Sequence, residues 1–95
     1  MVHTLVCHLL AKPEHVEDLK AELIKARSIY EKDEGTLDWH VMQDFHDPLK
    51  FSIVERFEKE ESQEVHLSNP YWKSFDPTVI PWLQKPIELL RHNEL

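Results

Sequence analysis

The hydrophobic pattern switches from a period of two to a helical period and back within the first 60 residues, and few folds accommodate that order. Residues 2–10 (VHTLVCHLL) alternate and are rich in Val, Leu and Thr, which predicts a strand. Lys12-Pro13 ends it, because proline donates no ladder hydrogen bond and suits the first turn of a helix. Val16, Leu19, Leu23, Ala26 and Tyr30 then step by three and four, one apolar stripe on a helix of about five turns. Its acids come early (Glu14, Glu17, Asp18) and its bases later (Lys20, Lys25, Arg27), as a helix dipole favours. Asp33-Glu34-Gly35 closes the helix, with the one glycine of the chain free to take a left-handed conformation.

Alternation returns at residues 36–44 (TLDWHVMQD), which put Leu37, Trp39 and Val41 on one face and Asp38, His40 and Met42 on the other. After a turn at Phe45-His46-Asp47-Pro48, residues 50–58 alternate again: Phe51, Ile53, Glu55 and Phe57 oppose Ser52, Val54, Arg56 and Glu58. The two stretches predict an antiparallel hairpin. Residues 59–68 turn helical, residues 69–84 carry three prolines and suggest short helical turns, and residues 86–92 (PIELLRH) read as a last strand. The order is β-α-β-β-α-β, an α+β ferredoxin-like antiparallel sheet filling one domain over residues 1–95.

A chain of 95 residues buries only about 60–65% of its unfolded surface, so a deep private pocket would strain its core. Its helices can cover one side of such a sheet, yet both strand faces carry apolar side chains, Met42 and Val54 opposing Trp39, Val41, Phe51 and Ile53. A wet apolar face predicts a homodimer stacked sheet to sheet. Eleven Lys and Arg against eighteen Asp and Glu, a formal charge of −7, argue against nucleic-acid or anionic-membrane partners. A lone Cys7 fits a reducing compartment, and no secretory leader or membrane-length apolar run stands out, so the expected location is the cytoplasm. The tail His92-Asn93-Glu94-Leu95 looks like an ER-retention tetrapeptide, read as coincidence without an entry signal.

Three stretches carry a likeness: Lys12-Pro13 with its helix ending in Glu34-Gly35-Thr36-Leu37, then Val41-Met42-Gln43-Asp44 through Asp47-Pro48 to Phe51–Phe57, then His66-Leu67-Ser68-Asn69-Pro70-Tyr71-Trp72 to Phe75. In that order and spacing the chain resembles the antibiotic biosynthesis monooxygenase domains, which include quinol monooxygenases. The resemblance implies a dimeric α/β barrel and an activity without metal, flavin or haem. It departs from the family pattern at Phe57, where Trp is common, and at Tyr71, where many relatives carry a second histidine. The haem-degrading branch uses an Asn on the first strand, and Cys7 and His8 stand there instead, which disfavours that activity.

His66 is the first candidate for chemistry, since an imidazole exchanges protons near neutral pH. Glu55 lies on an otherwise apolar strand face and needs a partner there; pairing with His66 would set the imidazole tautomer. A purely structural bond tying helix to sheet competes with that role. Tyr71 and Trp72 would wall an aromatic slot, with Phe51 and His40 as further substrate contacts. Histidine spacing fits no metal site, one glycine forms no phosphate loop, and Cys7 shares the parity of Leu5 and Leu9 as a small buried hydrophobe, so no cofactor is expected. The resulting expectation is a cofactor-independent monooxygenase acting on a quinol-like or polyketide-type aromatic with O2. The alternatives are an isomerase of a small hydroxyketone and a non-catalytic dimeric ligand-binding module. A flat slot beside His66 favours the first, a small polar cavity the second and a filled core the third.

Overall fold

The computed structural model, covering residues 1–95, arranges four strands in the order β2-β3-β1-β4, every neighbouring pair antiparallel. The strands are β1 (His3–Leu10), β2 (Thr36–Gln43), β3 (Lys50–Phe57) and β4 (Glu88–Asn93), with β1 and β3 central. Between β1 and β2 a single 3-10 turn at Pro13–His15 leads into α1 (Val16–Tyr30). Proline opens that turn because its missing N–H has no bond to make there. The chain from β3 to β4 is covered by α2 (Ser62–Leu67), α3 (Trp72–Val79) and a 3-10 turn at Ile80–Trp82. The expected α+β ferredoxin-like topology is therefore present, its second helix broken into short pieces.

The helices lie on one face of the sheet. There Leu5, Cys7 and Leu9 of β1 align with Glu55, Ile53 and Phe51 of β3, and all six are buried. The α1 stripe meets them with Leu19, Leu23, Ala26 and Tyr30, while α3 adds Phe75 and Val79. Each aliphatic side chain so buried contributes on the order of 1.5–3 kcal/mol, which holds α1 to the sheet.

The other face is open. Its central row runs Leu90–Val6–Val54–His40 across all four strands, and the next row runs His92–Thr4–Arg56–Asp38. Val6 and Val54 are half-buried, whereas Met42 and Leu90 are exposed. The second apolar face is thus real but interleaved with charge.

Two local expectations are corrected. Leu37 does not join Trp39 and Val41, because the register of β2 shifts between Thr36 and Asp38 and this bulge turns Leu37 outward to 43% exposure. Gly35 does adopt φ +84°, but in the turn that feeds β2, five residues past the last residue of α1. A side chain there would also meet Ser62 Oγ at 2.5 Å, so the glycine lets α2 sit against the turn.

Candidate active site

β3 turns Glu55 toward the helices, and α2 brings His66 down onto it. Both are buried, Glu55 at 4% and His66 at 1% exposure, so each needs partners in place of water. His66 Nδ1 hydrogen-bonds Asp33 Oδ2 at 3.1 Å. His66 Nε2 lies 3.1 Å from Glu55 Oε1, close enough for an ion pair but too poorly aligned for a hydrogen bond, and so Nε2 has no hydrogen-bond partner. The far oxygen of each carboxylate is also engaged: Cys7 Sγ donates to Glu55 Oε2 at 3.4 Å, and Asn69 Nδ2 donates to Asp33 Oδ1 at 2.7 Å. A polar chain Cys7–Glu55–His66–Asp33–Asn69 thereby runs from mid-sheet to the end of α2. Burial first, then the Glu55 carboxylate, pushes the Cys7 thiol far up, so it stays a neutral donor.

Aromatic rings enclose the imidazole. Tyr30 meets it edge-on at 4.5 Å between centroids, Trp72 at 5.0 Å, Phe57 at 5.3 Å and Trp39 at 6.1 Å. Tyr30 stacks on Trp72 at 4.6 Å, and Trp72 Nε1 donates to the His66 carbonyl at 2.9 Å. Within this nest the Tyr30 hydroxyl and Trp39 Nε1 are buried without hydrogen-bond partners, as is Thr36 Oγ1 at the start of β2. Burial is the main cause that holds the Tyr30 phenol protonated, followed by the charges of Tyr71, Asp76, Asp33 and Glu55. Tyr71 packs on Tyr30 and donates to Glu22 of α1, which fastens the head of α3 to that helix.

Four of the six residues expected from the sequence are therefore brought together: His66, Glu55, Trp72 and Tyr71. Two are not. Phe51 is buried two rows along the sheet, where it lines a recess of about 90 Å³ with Leu23, Val41 and Met42. His40 projects from the open face, 3.6 Å from Asp38, so the sheet itself separates it from His66. Asp33, Tyr30 and Asn69 were missed as site residues. Asp33 reads locally as a turn acid, and no spacing rule links it to a histidine 33 positions later. His66 and Glu55 are sealed from solvent, and neither lines any of the five main surface clefts; one of these, about 410 Å³, is bounded by Asp76, Ile80, Leu83, Lys85, Pro86 and Ile87.

A family model described as antibiotic biosynthesis monooxygenase matches residues 3–77, which hold β1 through most of α3 and every residue of the polar chain. The chain belongs to that family. No curated protein sequence matches it. Among solved structures, a protein of Nitrosomonas europaea superposes with a TM-score of 0.93 at 16% identity, covering 99% of this chain and 90% of that one. A conserved protein of Methanosarcina mazei gives 0.93 at 22% identity over 100% and 94%, and one from Pseudomonas aeruginosa gives 0.90 at 24% over 99% and 94%. At such identities these likenesses speak for the antibiotic biosynthesis monooxygenase fold alone. No helix is long and apolar enough to cross a membrane.

Proposed function

We propose that residues 1–95 form one domain that works in the cytoplasm as a homodimer stacked through the open sheet face, a cofactor-independent monooxygenase for a quinol-like or polyketide-type aromatic. The observation that carries this reading is the buried, unpartnered Nε2 of His66 inside a nest of rings that also holds two unpartnered donors, Tyr30 O–H and Trp39 N–H. Buried polar atoms without partners cost about 1–3 kcal/mol each, and a core selected for stability alone would pair them. An imidazole acceptor beside two neutral donors suits an aromatic substrate that loses a proton and carries its oxygen as an anion.

In that reaction His66 Nε2 takes the proton, the electron-rich ring attacks O2, and the imidazolium returns the proton as the oxygen–oxygen bond breaks. In an anthrone-like ketone a ring CH2 plus O2 gives a ring carbonyl plus water, and a quinol plus O2 gives a hydroxyquinone plus water, so the substrate supplies every electron. Protein contributions are deprotonation, orientation and exclusion of water. Since His66 is sealed, substrate enters by displacing α3 while α2 keeps His66 in place; α3 is tied down by Tyr71 to Glu22 and by Trp72 to the His66 carbonyl.

The sealing of the imidazole favours a second reading, the non-catalytic dimeric module, and nothing of the small polar cavity expected for a hydroxyketone isomerase opens on His66. Oxygen uptake against a panel of hydroquinones and anthrone-like ketones separates the two. The oxygenase reading expects turnover that falls by about 10²–10⁴ in His66→Ala. No uptake with any member of the panel, or equal uptake by the variant, would hand the case to the module. Sedimentation at micromolar concentration tests the dimer separately, and a lone protomer would remove it.

A further inference from the structure

We infer that Asp33 is the positioning residue of this site: it holds the proton of His66 on Nδ1 and so keeps Nε2 as the acceptor. The sequence reading gave that duty to Glu55, but the geometry divides the labour differently. Only Asp33 meets a ring nitrogen in an aligned hydrogen bond, at 3.1 Å, whereas Glu55 stands equally near Nε2 but off its axis. A neutral imidazole has one N–H, and it goes where a carboxylate lone pair lies along its direction. Asp33 is itself fixed: its second oxygen accepts from Asn69, and its backbone N–H donates to the Tyr30 carbonyl at 3.0 Å while its carbonyl accepts from Thr36 N–H at 3.1 Å. Glu55 has a second oxygen occupied by the Cys7 thiol, which fixes it beside Nε2. From there it contributes after proton transfer, when the ring is positive and lies between two carboxylates.

The inference deepens the oxygenase reading and rests on it for its catalytic part, but the tautomer is observable without any substrate. In 15N-labelled protein at pH 8, the buried histidine is the ring whose protons contact Tyr30 and Trp72. Its two-bond 1H–15N correlations should show a protonated Nδ1 and a bare Nε2. Asp33→Asn can donate its amide to Nδ1, and should move the proton to Nε2, inverting the pattern; Glu55→Gln should leave Nδ1 protonated. With a working quinol substrate, Asp33→Asn should lower turnover by about 10²–10⁴.

A bare Nδ1 or a protonated Nε2 in the unmodified protein overturns the inference, and that result stands even if Asp33→Asn does not fold. An unchanged ring pattern in Asp33→Asn overturns it as well. An inverted pattern in a protein that consumes no oxygen keeps the assignment of Asp33 and removes the oxygenase reading instead.

Discussion

Glu55 and Arg56 are adjacent on β3 and face opposite worlds. Glu55 points under the helices, nearly sealed, with Cys7 and His66 on its two oxygens. Arg56 points to the open face, about a third exposed, and forks between Glu94 and Asp38 with N–O distances of 2.8 Å. By distance alone the arginine has the better bonds. Its water-accessible network nevertheless gains little, because water and salt compete for the same charges. The carboxylate has poorer contacts and far more at stake, since only the Cys7 thiol hydrogen-bonds it in place of its lost hydration. Burial, not bond length, decides which of two neighbouring charges is consequential.

The contrast is most easily broken by truncating the buried member. Glu55→Ala should cost about 2–5 kcal/mol in urea denaturation, by opening a cavity beside His66 and leaving the Cys7 thiol without its acceptor. A loss no greater than that of Arg56→Ala would refute the comparison outright. Next in size is Gly35→Ala, which places a side chain at φ +84° and against Ser62. It should cost about 1–3 kcal/mol, and pairing it with Ser62→Gly should recover the steric part and leave the backbone strain.

A third effect is alkaline. The Cys7 thiol is pushed above its ordinary value of 9.0, mainly by burial and then by Glu55, so the folded state favours the protonated form. That contribution is complete below pH 9 and declines as the unfolded thiol ionises above it, by up to about 1.4 kcal/mol per pH unit. Chemical denaturation from pH 8 to 10 should show the slope, and Cys7→Ala should reduce it, most clearly at its lower end, before the raised phenols of Tyr30 and Tyr71 add theirs near pH 10. A slope identical in both proteins would separate Cys7 from Glu55 energetically.

The smallest effect belongs to the open face. Hydrogen bonds from Arg56 and then Thr4 hold the Glu94 carboxyl below its ordinary value of 4.5. Its contribution is present above that value and disappears as pH falls through the lowered one. Arg56→Ala should therefore produce a slight destabilisation in the isolated protomer that shrinks in molar salt, together with a weaker acid limb. A large, salt-independent loss in monomeric protein would mean that the open face is as consequential as the covered one.

Much of the fold was legible because its signals are local. The step of three and four from Val16 to Tyr30, the alternation of Phe51, Ile53, Glu55 and Phe57, and the proline after β1 each report their own element. Leu37 was misplaced because a bulge shifts parity without leaving a mark in the alternation. The site was half legible. An acid on an apolar strand face and a histidine in a polar helical stretch stand out as residues that require partners, and they found each other. His40 carried the same chemistry but sits on the other parity.

By itself, the order of residues determined the element sequence, the sidedness of each strand and the fact that Glu55 shares a face with Phe51 and Ile53, because backbone periodicity is a property of neighbours along the chain. Only the tertiary structure decided which face the helices cover, that Asp33 and Asn69 close the chain around His66, and that Tyr30 and Trp39 surround it. Those contacts join residues from separate turns, helices and strands. Their distances depend on how α1 and α2 settle on the sheet, a balance of packing that no local pattern encodes.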